Sequence, residues 1–239
     1  MDTRKNTSRA VSVGLRCAEG ELTLPSRRRV LVVFAHGSGS SCNSPQNRQV
    51  AEILQAHGMG TLLFDLVSTE ESMKREIVFN IPLLGERLVE ALDWTSSQPD
   101  LRDLPIGLFG ASTGAAAALY AAAARPERVY AVVSRGGRPD LAAAVLPRVM
   151  APTRLIVGSA DPHVLTLNRW ARKALGANAE LSVVAGAGHL FEEPGALDQV
   201  GARAAEWFLE CLRPGHDDGW PASFEPTHGD RHGIAPSVG

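Results

Sequence analysis

The sequence predicts an α/β protein carrying one doubly wound, mostly parallel sheet, and three observations lead there. Short runs of branched and aromatic apolar residues recur along the chain without the alternation of a half-exposed strand, as expected where both faces of a parallel strand are buried. Between successive runs lie segments of helical length or spacing, and strand followed by helix, repeated, gives βαβ units. The length of 239 residues suits one such domain and is short for two.

The elements follow in order. Residues 1–10 are expected to form a flexible N-terminus, and residues 11–16 and 21–24 read as two short strands about a turn at Gly20, an antiparallel edge hairpin. The buried parallel strands are expected at 30–34, 60–64, 106–109, 129–133, 154–157 and 181–184. Helices are expected at 44–57, with Ser44 as N-cap and Pro45 in the first helical position, and at 81–94, 113–124, 164–175 and 195–212, with a short piece near 141–145. Gly58 and Gly176 read as C-terminal stops. The folded domain is therefore placed at 11–212. Beyond it, glycine, proline, histidine and aspartate dominate without periodicity, so residues 213–239 are expected to be a disordered tail.

Composition narrows the function classes. A formal net charge of −2 with 21% charged residues gives no field that would recruit nucleic acid or an acidic membrane surface, which leaves a small-molecule substrate as the expected partner. No apolar segment follows Arg4, Lys5 and Arg9, so the start does not read as a secretory signal and a cytoplasmic location is expected. The most apolar stretch, 108–124, is interrupted by Ser112, Thr113 and glycines and is too short and alanine-rich to span a bilayer. Cys17, Cys42 and Cys211 have neither disulfide nor zinc spacing, and reduced thiols are expected. No metal or organic cofactor is called for, and nothing in the sequence sets an oligomeric state.

In open parallel sheets reactive groups gather beyond the carboxyl ends of the strands. After the run at 106–109 comes Gly110-Ala111-Ser112-Thr113-Gly114, a G-x-S-x-G turn between strand and helix that places the Ser112 hydroxyl at a helix N-terminus. A serine hydroxyl is a weak nucleophile without a base, so a histidine is required later in the chain. His189 follows the last strand in a small-residue loop. Asp161, after the strand at 154–157, can orient its imidazole; the same aspartate could instead cap the following helix, and Asp140 is a second candidate for the acid. The small-residue loop Ala35-His36-Gly37-Ser38-Gly39 suggests an oxyanion hole made by the amides of Ser38 and Thr113. His36 reads as a structural brace of that loop. Arg135 and Arg138, after the strand at 129–133, either bind a substrate carboxylate or form structural salt bridges; the sequence supports both readings. The histidines and aspartates after residue 213 are spaced too irregularly for a metal site.

Across residues 29–212 these motifs resemble the dienelactone hydrolase-like branch of the α/β-hydrolase superfamily. The resemblance implies that fold with a minimal lid, Ser112 as nucleophile, Asp161 as acid and His189 as base. Dienelactone hydrolases proper use a cysteine nucleophile, so Ser112 departs from the pattern and argues against dienelactone itself as the substrate. Hydrolysis of a small ester or lactone through an acyl-serine is the activity implied. A non-catalytic small-molecule-binding module and an acyltransferase using the same triad are the alternatives. Residues 67–80 are the expected partial cover of an otherwise open site. Closely similar domains also occur fused to phosphoribosyltransferases, and no such second domain is read in this chain.

Overall fold

The computed structural model describes residues 6–212. Its strands are β1 (Asn6–Val13), β2 (Ala18–Pro25), β3 (Leu31–Ala35), β4 (Gly60–Phe64), β5 (Ile106–Ala111), β6 (Val129–Arg135), β7 (Thr153–Gly158) and β8 (Ala179–Val184). The helices are α1 (Pro45–Ala56), α2 (Thr69–Ser72), α3 (Arg75–Val78), α4 (Ile81–Ser97), α5 (Thr113–Ala124), α6 (Pro162–Leu175) and α7 (Ala196–Glu210). One sheet takes the order β1-β2-β4-β3-β5-β6-β7-β8. Strands β3 to β8 run parallel, whereas β2 pairs antiparallel with both β1 and β4. The parallel part thus starts at β3 in the middle, steps outward to β4 and returns to β5 on the other side of β3. Connections leaving β3 and β5 diverge there, which opens a crevice at the carboxyl ends of these two strands.

Alternate residues of the strands feed two cores. Leu31, Val33, Leu108 and Val132 pack with Leu84 and Leu88 of α4 and the alanines of α5. Val32, Phe34, Phe109 and Val133 pack with Val50 and Leu54 of α1 and Phe208 of α7. Small residues set the spacing: Ala116, Ala117 and Ala118 are fully buried, and a Cβ on Gly107 would stand 2.6 Å from the Phe208 ring. The sheet-facing side of α5 can therefore lie close to β5, which fixes where its N-terminus points.

Helix capping follows the sequence at α1, where the Ser44 hydroxyl accepts from the Asn47 amide, and at the C-terminus of α6, where Gly176 takes a positive φ. The N-terminal hairpin differs from expectation. Its turn lies between β1 and β2, with Gly14 at φ 68° and Cys17 at φ 51°, and Gly20 sits inside β2, where a Cβ would come 2.8 Å from Leu63 O. The hairpin begins at Asn6, paired with Pro25, so residues 6–10 belong to a strand rather than to a flexible end. Exposed polar residues on that edge hide the alternation that marks a strand in sequence. The short helix expected near 141–145 is two 3₁₀ turns, Pro139–Ala142 and Leu146–Arg148. The tail expected at 213–239 lies outside the described residues.

The segment after β4 folds as α2 and α3. A capping box closes α2: the Ser68 hydroxyl accepts from the Glu71 amide and the Glu71 carboxylate from the Ser68 amide. Buried Arg87 of α4 anchors this segment, donating to Glu71 through both terminal nitrogens at 2.9 and 2.7 Å and to Leu66 O at 2.7 Å. That fork, with the Ser68 amide and nearby Arg16, holds the Glu71 carboxyl down at about 2. Among the described residues no helix is long and apolar enough to cross a membrane.

Candidate active site

Strands β5 and β6 each run two residues beyond the span legible in sequence, and that extension builds the elbow. Ala111 lies opposite Arg135 in the ladder, and the Ser112 amide donates to Arg135 O at 3.1 Å. Ser112 itself is bent to φ 51° and ψ −117°, a conformation that costs an L-residue on the order of 1–3 kcal/mol and persists only where its surroundings enforce it. The enforcement is visible at the flanking glycines. A Cβ on Gly110 would overlap the backbone of Ala115, and one on Gly114 would overlap Ala35 O and His36 O. Helix α5 can start beside β3 only with those two side chains missing.

The three residues expected to form a triad come together. His189 Nε2 stands 3.4 Å from Ser112 Oγ, and His189 Nδ1 stands 2.7 Å from Asp161 Oδ2. The imidazole is 39% exposed on its side chain and the Asp161 carboxylate 15% exposed. Asp161 makes both contacts that the sequence held apart. Its Oδ1 accepts from the Val164 amide at 3.2 Å as the N-cap of α6, while Oδ2 faces His189. Helix geometry therefore fixes the carboxylate plane that fixes the imidazole. The loop carrying His189 is tied to the loop carrying Asp161: Ala160 N donates to Ala187 O at 2.9 Å, and Gly186 N to Ser159 Oγ at 2.8 Å. Gly158 lets the two loops touch, since a Cβ there would overlap Ala187 O.

Asp140, the second candidate for the acid, pairs with Arg138, while the carboxylate facing His189 Nδ1 is that of Asp161. Both oxygens of Asp140 accept from Arg138, Oδ1 from Nε at 2.9 Å and Oδ2 from Nη2 at 2.7 Å. The same bidentate ion pair engages Arg138 through Nε and Nη2, the contact that the structural reading of that residue calls for. Arg135 also departs from expectation. It is the last residue of β6 instead of part of the following loop, only 8% exposed, with its guanidinium 5.8 Å from the Phe191 ring centroid. Its Nε and Nη1 have no hydrogen-bond partner, and burial pushes its pKa down to about 10.

His36 braces the loop after β3, as expected. Its Nε2 accepts from the Leu66 amide at 2.9 Å, which places the ring proton on Nδ1, 3.0 Å from Gly37 O; burial lowers its pKa and keeps it neutral. Ser38 and Thr113 adjoin each other beside Ser112, but not as two free amides. Ser38 N donates to Thr113 Oγ1 at 2.9 Å, whereas Thr113 N has no acceptor among the described residues. The G-x-S-x-G turn points to the Thr113 amide alone; the contact of its hydroxyl with the Ser38 loop depends on a proximity that no motif encodes.

A family model described as an alpha/beta hydrolase domain matches residues 28–206. The chain belongs to the alpha/beta hydrolase family. A dienelactone hydrolase from Anabaena variabilis is 51% identical to this hydrolase domain, covering 88% of this chain and 99% of that one with a TM-score of 0.83. The esterase Est1E from Butyrivibrio proteoclasticus shares the fold at 14% identity, with 86% and 98% covered and a TM-score of 0.70. A Mycobacterium tuberculosis protein named as a phosphoribosyl transferase is 55% identical over 193 residues, which make up 81% of this chain. The hydrolase domain spans 44% of the length of that relative.

Proposed function

We propose that this hydrolase domain is a serine hydrolase that cleaves a small ester or lactone through an acyl-serine intermediate. The observation that carries the reading is the continuous chain from Asp161 Oδ2 to His189 and from His189 Nε2 to Ser112 Oγ, ending on a serine held in a strained elbow. Ser112 Oγ attacks the carbonyl carbon while His189 Nε2 takes its proton; Asp161 keeps the other ring proton on Nδ1 and offsets the imidazolium charge. The carbonyl oxygen becomes an oxyanion beside Thr113 N and the Ser38 loop. When the tetrahedral intermediate collapses, His189 returns the proton to the leaving alkoxide. Water then repeats the sequence on the acyl-serine, with His189 as base.

The imidazole, 39% exposed on its side chain, is open to water as the second acceptor. The likeness to the Anabaena dienelactone hydrolase supports lactones and esters as the substrate class. No organic cofactor or metal enters any of these steps. The test is hydrolysis of p-nitrophenyl acetate together with labelling by a fluorophosphonate and mapping of the modified residue. The reading expects label on Ser112 and turnover lowered by about 10⁴-fold or more in Ser112→Ala. Turnover at the parent rate in that variant, or label on another residue, refutes it.

A further inference from the structure

The hydrogen bond between Ser38 and Thr113 bears on how an oxyanion is held, an inference that rests on the serine hydrolase reading above. Two backbone amides on either side of Ser112 would ordinarily both point at the oxyanion. Here the Ser38 amide donates to Thr113 Oγ1 at 2.9 Å, so its proton is already spent on a side chain. The hydroxyl that accepts it keeps a proton of its own. With the Ser38 N–H directed at the oxygen, the Thr113 O–H must point elsewhere, and it has no acceptor among the described residues, although Thr113 is only 2% exposed. A buried hydroxyl normally donates to something. The Thr113 amide, at the first turn of α5, is likewise unspent. Two unused donors on one residue, next to the serine that would generate an anion, form a cradle for it.

We infer that the Thr113 hydroxyl is a catalytic hydrogen-bond donor to the oxyanion, with the Ser38 amide standing behind it as the group that orients and polarises it. The Ser38 N–H fixes the rotamer of Thr113, because accepting that bond places Oγ1 against the loop after β3. A hydroxyl that accepts one bond donates a stronger one, so the loop reaches the oxyanion through Thr113. No proton is transferred in this step. The new bond joins Ser112 Oγ to the carbonyl carbon, the π electrons move to the carbonyl oxygen, the Ser112 proton goes to His189 Nε2, and Thr113 N–H and O–H donate to the resulting anion. Sequence motifs for this fold draw the donors from the backbone, so the assignment makes a side chain at position 113 matter.

Thr113→Val removes the hydroxyl at constant shape, and Thr113→Ser retains it. Loss of one oxyanion donor lowers kcat by about 10²–10³-fold. The expected result is a loss of that size in Thr113→Val with KM little changed, against a loss within about tenfold in Thr113→Ser, with both variants unfolding near the parent temperature. A trifluoromethyl ketone, whose adduct with Ser112 carries a charged oxygen, should bind Thr113→Val more weakly by a factor that tracks the loss in kcat/KM. A merely structural role for the hydroxyl would lower stability and leave that proportionality absent. Parent-level kcat in Thr113→Val overturns the inference, since the released Ser38 amide then suffices alone. A faster Thr113→Val overturns it as well, because the hydroxyl would then be obstructing the hole. Fluorophosphonate labelling of the parent separates the two levels: label on Ser112 with an unaffected Thr113→Val refutes only the role of Thr113, whereas no label on Ser112 refutes the hydrolase reading itself.

Discussion

Replacing Asp161 by asparagine separates two functions that one carboxylate performs through different oxygens. Oδ1 caps α6 at Val164 N, 3.2 Å away, and Oδ2 accepts from His189 Nδ1 at 2.7 Å. Asparagine is as good an N-cap as aspartate. With its single carbonyl oxygen on the cap, the amide group must face His189, and two donors then confront each other. The imidazole relieves this by moving its proton to Nε2, the nitrogen 3.4 Å from Ser112 Oγ, where it can no longer act as base. The loss in kcat from this wrong tautomer is about 10⁴-fold in a serine triad. Stability should change by only a few tenths of a kcal/mol. Asp161→Ala removes the cap too, costing about 1 kcal/mol, or roughly 2–4 °C in Tm for a domain of this size. The assay is p-nitrophenyl acetate turnover beside thermal unfolding for Asp161→Asn, Asp161→Ala and Asp140→Asn. Activity within tenfold of the parent in Asp161→Asn, or abolition by Asp140→Asn, would falsify the assignment.

Two further perturbations test the frame around the site. The Glu71 carboxyl, held at about 2 in the folded protein against about 4.3 in an unfolded chain, contributes stability above pH 5 that is lost as pH falls toward 2. Glu71→Gln should therefore be less stable at pH 7 by on the order of 1–2 kcal/mol after allowance for the pair's partial exposure, with the gap closing between pH 5 and 2; a gap independent of pH in urea titrations refutes the pairing argument. Arg138→Met should leave the relative rates on a free acid and its methyl ester unchanged, because Asp140 already occupies that guanidinium. Arg135→Met should raise Tm by roughly 2–4 °C, since a buried guanidinium with two unpaired nitrogens is replaced by an apolar side chain of similar length. A lowered Tm, or a tenfold fall in the rate on the free acid alone, would mean that Arg135 has a partner it needs.

The parallel strands were legible because burial on both faces requires unbroken apolar runs, and a run such as 60–64 needs no tertiary information to be recognised as a strand. The elbow was legible for a related reason. Gly110 and Gly114 stand where a Cβ would overlap neighbouring backbone, so the chemistry of the turn is written in residue type. The order Ser112, Asp161, His189 followed from strand ends that the fold collects on one edge. What the sequence by itself could not decide was which of two partners a polar side chain takes, because hydrogen bonds depend on distances between segments far apart in the chain. Asp161 and Asp140 carry the same group after neighbouring strands; only the folded chain turns one toward His189 and the other into the Arg138 fork. Arg135 looks like a loop residue in sequence because strand length is set by pairing with β5 and β7, and that ladder carries it into the interior. The bond from Ser38 to Thr113 spans 75 residues and joins a backbone amide to a small polar side chain with no pattern between them. Residue type thus determined the strands, the turn and the reacting groups, while tertiary packing decided the direction in which each donor and acceptor points.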